Sequence, residues 1–154
     1  MSLLTFPFAA MAAASATGEA VYLNRFDGGW TGEGAVRLAP GTPPVSVSCS
    51  LTGSAAGAAL TLTGRCGGGL IGSSVSARLA YDAASHAYRG SWSAGGSNAT
   101  LAGRRHGEEI ALDVAAADEP GRHLTLALDQ GRLHLSMTRS DDHAEVLRLA
   151  LVKN

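Results

Sequence analysis

Residues 124–137 read Leu124-Thr125-Leu126-Ala127-Leu128-Asp129-Gln130-Gly131-Arg132-Leu133-His134-Leu135-Ser136-Met137. Apolar residues alternate with small or polar ones on both sides of Gln130-Gly131. A period of two places alternate side chains on opposite faces of a strand. A two-residue turn at Gln130-Gly131 sets Leu128 opposite Leu133 and Asp129 opposite Arg132. Apolar then meets apolar, and the polar pair carries opposite charge. A slip of one residue would turn either strand inside out. The stretch is a hairpin with one buried face.

The same test extends upstream. A turn at Gly95-Gly96 places Trp92 against Ala99 and Gly90 against Leu101, and the loop at 82–87 sets Tyr81 against Tyr88. A turn at His106-Gly107 sets Arg105 against Glu108 and Gly103 against Ile110. One inward face thus runs from Val75 to Met137 over about six strands, and its positions read as apolar. Further strands are predicted at Trp30–Leu38, Val45–Thr52, Leu60–Cys66 and about Glu145 to Val152, with a bulge or loop between Gly67 and Ser74. About ten sequential antiparallel strands with one apolar face close most simply into an up-and-down β-barrel, which also removes the sheet edges. A two-sheet β-sandwich is the alternative. Gly32, Gly34, Gly64, Gly90 and Gly103 fall on the inward phase, where small residues permit the tight coiling a small barrel needs.

Composition agrees with one folded domain. The chain has 154 residues, enough for a single core. Twelve basic against thirteen acidic residues argue against nucleic-acid binding by phosphate neutralisation. Hydrophobic residues at 45% and charged residues at 16% exclude a disordered chain. Leu3 to Ala16 carries no charge and ends in Ala14-Ser15-Ala16, the pattern of a secretory h-region and cleavage site. Residues 1–20 are therefore expected to be a signal-peptide remnant or an N-terminal arm, with residues 21–154 as a single barrel domain. The stretch is shorter than the ~20 residues a membrane-crossing helix requires. Localisation is expected to be periplasmic or secreted.

Cys49 and Cys66 lie on strands joined by a turn near Gly57-Ala58, which sets them face to face with Leu51 opposite Gly64. Such a pair is close enough for a disulfide. An even cysteine count and an exporting leader both fit an oxidising compartment. No CxxC pair or histidine cluster points to a metal site.

Phe26-Asp27-Gly28-Gly29-Trp30-Thr31-Gly32-Glu33-Gly34 contains G-x-W-x-G-x-G at the start of the first strand. This resembles the calycin barrels: lipocalins carry G-x-W there, and the longer form is similar to the nitrobindin-type haem barrels. The resemblance implies that Trp30 closes the narrow end of the barrel beneath a basic residue from a late strand, for which Arg148 and Arg139 are the candidates. It also implies a haem-ligating histidine near the C-terminus. Here the last strand has none, and the nearest histidines, His143 and His134, fall in a loop and on the outward phase. Haem is accordingly disfavoured, and no cofactor is expected.

No G-x-S-x-G elbow, P-loop or dinucleotide fingerprint occurs, and the carboxylate pairs Glu108-Glu109 and Asp141-Asp142 read as solvated turn residues. No catalytic residues are predicted. The expected function is non-catalytic binding of a small apolar or amphipathic ligand in the barrel interior, with Trp30, Tyr81, Tyr88, Trp92 and Met137 among the inward residues available to it. The alternative is a solid-cored protein-interaction or envelope-structural module, similar to bacterial protease inhibitors, using an arm at residues 1–25. The sequence leaves the oligomeric state open.

Overall fold

A computed structural model describes residues 8–68 and 71–154; the side chains of residues 8–15 and of Ile71 fall outside that description. One helix, α1 (Phe8–Asn24), precedes ten strands: β1 (Gly28–Val36), β2 (Val45–Ala56), β3 (Ala59–Gly68), β4 (Ile71–Asp82), β5 (Ala87–Ala94), β6 (Ser97–His106), β7 (Glu109–Ala115), β8 (Arg122–Asp129), β9 (Arg132–Arg139) and β10 (Glu145–Lys153). Each strand pairs antiparallel with its sequence neighbours, and β1 pairs with β10, so the sheet is a closed up-and-down barrel. The sandwich alternative is excluded.

The registers follow turn chemistry and face matching. Gln130 and Gly131 both take positive φ (49° and 78°), as the tight hairpin requires, and Leu128 faces Leu133 while Asp129 faces Arg132. Trp92 faces Ala99, Tyr81 faces Tyr88, and Cys49 faces Cys66. Two places differ from the sequence expectation. Strands β3 and β4 stay paired in one unbroken register through Gly67 opposite Gly72 and Gly68 opposite Ile71, where a bulge or loop was expected. The β6–β7 hairpin is shifted. The β6–β7 turn lies at Gly107-Glu108, so Arg105 faces Ile110 and Gly103 faces Leu112. The shift is two residues, which leaves every side chain on its face. The predicted Arg105–Glu108 pairing is therefore replaced: Arg105 turns inward to Glu19, and Glu108 pairs with Arg25.

The inward glycines have a steric cause. A Cβ on Gly90 would sit 1.7 Å from the carbonyl oxygen of Arg78, and one on Gly32 would sit 2.0 Å from that of Ala150. Neighbouring backbone occupies the space a side chain would need, so the strands can coil this closely only with glycine there.

The helix crosses the boundary suggested at residue 20. Tyr22, Leu23 and Phe26 are buried, and Glu19 is the one buried charged residue among those described. Turn-like bonds from the amides of Arg25, Phe26 and Asp27 to the carbonyls of Tyr22, Leu23 and Asn24 end the helix and lead the chain into β1. The part of the N-terminal expectation that concerns residues 1–7 lies outside the described residues. No helix among the described residues is long and apolar enough to cross a membrane.

Candidate functional site

The two ends of the barrel are built from different chemistry. At the closed end, α1 packs against β2, β3 and β4, and Tyr22 and Arg25 reach Glu108 in the turn that joins β6 to β7. Phe26 is fully buried, and the Trp30 indole N–H donates to its carbonyl at 2.8 Å. Arg105 forks onto Glu19 with two bonds, Nε to Oε2 at 2.8 Å and Nη2 to Oε1 at 2.9 Å. The Tyr88 hydroxyl donates to the same carboxylate, and the Tyr22 hydroxyl donates to the Glu108 carbonyl at 2.7 Å. The Arg105 guanidinium also lies 4.7 Å from the centre of the Tyr22 ring.

Electrostatics follow from this packing. Burial alone would push the Glu19 carboxyl up, but the Arg105 and Tyr88 hydrogen bonds and the Arg105 charge together hold it below the ordinary glutamate range. Burial, and then the Glu19 carboxylate, push the Tyr88 hydroxyl up. Tyr88 is thus a neutral donor to a charged acceptor, which is the stronger class of hydrogen bond. No buried polar side-chain atom among the described residues lacks a hydrogen-bond partner.

At the other end the interior is open. A cavity of about 220 Å³ reaches the surface at the end of the barrel where β1, β3, β5, β7 and β9 finish. Val47, Leu62, Val75, Trp92, Met137 and Leu149 line its walls. Arg122 is the only charged side chain among the described lining residues. Beside the cavity, at the rim, lies a second space of about 340 Å³, bordered by Arg37, Arg122 and Arg139 and by Glu119, Asp142 and Glu145. Leu38, Arg122 and Val146 border both spaces, so the apolar cavity and the charged rim adjoin.

The sequence-predicted residues divide between these regions. Trp92 and Met137 line the cavity. Trp30 and Tyr88 are buried at the closed end, where their polar atoms are bonded to Phe26 and Glu19. Tyr81 packs on Tyr88 at 5.3 Å between ring centres, and its hydroxyl lies 3.2 Å from Nδ1 of His86. Cys49 and Cys66 form the predicted disulfide, which ties β2 to β3 with Cys66 on the cavity wall. Arg148 is exposed and pairs with Glu145, opposite Ala35 in the β1–β10 ladder. The cation over Trp30 is Lys153, with Nζ 5.5 Å from the ring centre. Lys153 shares the phase of Leu149 and Leu151, which was the signal available for it in the sequence.

Inward positions are not all apolar. Arg105, Arg122 and Arg139 share the inward phase of their strands, and each sits at a strand end. Strand parity alone would have found all three. Glu19 carried no comparable signal, because residues 1–20 read as a leader or arm, and Tyr22 precedes the first strand, where no phase applies.

Haem iron is held in proteins by histidine, a cysteine thiolate, methionine with histidine, or tyrosine. Of those donors the described cavity lining offers only Met137, since Cys66 is in the disulfide. The residues present do not fit such a group. Among the described residues, no group of three or more His, Cys, Asp or Glu side chains is arranged to hold a metal ion.

No family model matches the chain, and no curated protein matches it in sequence. Among solved structures, the crystal structure of Rv2717c from M. tuberculosis is similar, with a TM-score of 0.70 at 16% identity. The match covers 88% of this chain and 97% of that one. At that identity the likeness concerns the barrel fold.

Proposed function

We propose that the protein is a non-catalytic binder of a small apolar or amphipathic molecule, held in the mouth half of the barrel. The observation that carries this is the cavity itself: about 220 Å³, open at one end and walled by aliphatic side chains with Trp92 and Met137. That is roughly one and a half times the ~150 Å³ of an engineered apolar cavity that holds benzene. The guest is then a molecule of modest size whose far end reaches the rim. The Cys49–Cys66 disulfide supports an oxidising compartment as the place of action. The protein-interaction alternative drew on an arm at residues 1–25, but Glu19 to Phe26 contribute to the closed end of the barrel.

The test uses the uncharged dye N-phenyl-1-naphthylamine. The expected result is fluorescence enhancement that saturates at one dye per chain and is abolished by Ala94→Phe, which places a ring in the cavity. Trp92 should transfer excitation to the bound dye, and Trp92→Phe should remove most of that transfer although Trp30 remains. Dye binding left unchanged in a folded Ala94→Phe variant would place the site elsewhere and overturn the proposal.

A further inference from the structure

The cavity reading leaves open what the guest carries at its exposed end, and the lip of the barrel bears on that. Arg122 and Arg139 are directly opposite each other at the mouth ends of β8 and β9, both on the inward phase. Like charges placed directly across a ladder repel and weaken the pairing. Each therefore needs a compensating anion. Arg139 has two: Asp141 at 2.9 Å and Asp142 at 3.6 Å, both from the loop that follows β9. Arg122 has a weaker arrangement. Its carboxylate partner is Glu119, at 3.7 Å, beyond hydrogen-bonding distance, with both side chains more than one-third exposed.

Position makes this incomplete pairing informative. Arg122 borders both the apolar cavity and the charged space at the rim. Directly below it on the inward face follow Leu124 and Leu126, both buried. A planar guanidinium at the boundary between an apolar well and water suits a carboxylate, which it can bind with two parallel hydrogen bonds. The head of such a guest would supply the anion that Glu119 supplies only at a distance.

We infer that the guest is an anionic amphiphile, a medium-chain carboxylate, with its hydrocarbon tail in the cavity and its carboxylate on Arg122. This inference rests on the cavity being a ligand site, and the experiment separates the two. Octanoate and octan-1-ol have the same chain length and differ in the head. Each displaces N-phenyl-1-naphthylamine from the wild-type protein and from Arg122→Gln, Arg122→Lys and Glu119→Gln.

The expected outcome is that Arg122→Gln weakens octanoate about tenfold or more, the scale of a lost charge-assisted hydrogen bond, and leaves octan-1-ol unchanged. Arg122→Lys should recover part of that loss. Glu119→Gln, which frees the guanidinium from its distant partner, should tighten octanoate several-fold. Raising the salt concentration should weaken octanoate alone. If both compounds bind and their ratio is the same in all four proteins, the head-group assignment is overturned while the cavity reading stands. If neither displaces the dye from the wild-type protein, both are overturned.

Discussion

The closed end and the mouth of this barrel solve opposite problems with the same strands. At the closed end, large side chains are buried and their polar atoms are matched to partners: Trp30 to Phe26, Tyr22 to Glu108, and Tyr88 and Arg105 to Glu19. At the mouth, the inward residues are mostly aliphatic and leave about 220 Å³ between them. The difference teaches where the free energy of the fold resides. A helix laid across one end of a barrel adds buried area and satisfied hydrogen bonds there, so the other end can stay hollow. The mouth has its own restraint in the Cys49–Cys66 bridge.

The largest effect is expected where the two halves share backbone geometry. Gly90→Ala puts a methyl group where the Arg78 carbonyl oxygen lies, 1.7 Å from the ideal Cβ, and the barrier is backbone that cannot rotate away. A loss upward of about 3 kcal/mol is expected, measured as the urea midpoint. Gly18→Ala, in the helix with nothing within 4 Å of its Cβ, serves as the contrast and should be neutral or stabilising by about 0.5–1 kcal/mol. Equal midpoints for the two variants would show that strand coiling does not depend on that glycine.

Next in size is the bridge. Replacing both Cys49 and Cys66 by alanine should cost about 3 kcal/mol, as for loops of this order of length. If the bridge restrains the mouth, amide exchange should accelerate first in the mouth-facing halves of β2 and β3, while protection around Trp30 persists. Uniform acceleration through the barrel would remove the distinction between a stapled mouth and a plugged base.

Sequence alternation revealed most of the architecture because a one-residue slip reverses a whole strand. The hairpins at Gly95-Gly96 and Gln130-Gly131 and the Cys49–Cys66 register are such cases. It failed at β6–β7 for the same reason turned around. A slip of two keeps every face, so parity could not distinguish Arg105 opposite Glu108 from Arg105 opposite Ile110. The turn falls at Gly107-Glu108, with Gly107 at positive φ, and inward Arg105 then finds its partner far away in sequence, in Glu19. Arg122 and Arg139 were legible by phase yet lie at strand ends, where a polar residue normally meets water. The cavity was not legible at all. Alternation says which side chains point inward and is silent on whether they fill the space between them.

The closed end can be weakened selectively with acid. Glu19 has its carboxyl held below the usual range in the folded protein, so it adds stability above its unfolded value of about 4.3 and loses it as the pH falls through the lower folded value. Glu19→Gln leaves Arg105 without its counter-charge and should cost about 2 kcal/mol at neutral pH, reduced from a fully buried case because the Arg105 side chain is 27% exposed. Between pH 7 and pH 3, the stability of the wild type should approach that of the variant. A gap that stays constant over this range would mean that packing of the helix, and not the ion pair, secures the base.

The smallest effect on stability, and the sharpest on function, is expected from filling the mouth. Ala94 lies on β5 opposite Val75, beside Trp92 and partly exposed, so its methyl group faces open volume. A phenyl ring there displaces water from an apolar space and gains contacts, at the cost of some crowding against Val75. These terms oppose each other, and the urea midpoint should move by less than about 1 kcal/mol. Dye binding should nevertheless disappear. At the closed end there is no equivalent freedom: a residue added beside Trp30 or Tyr88 would meet atoms that are already packed and bonded. If Ala94→Phe destabilised the barrel as much as Gly90→Ala, the mouth would be a packed core like the base, and the contrast between the ends would not hold.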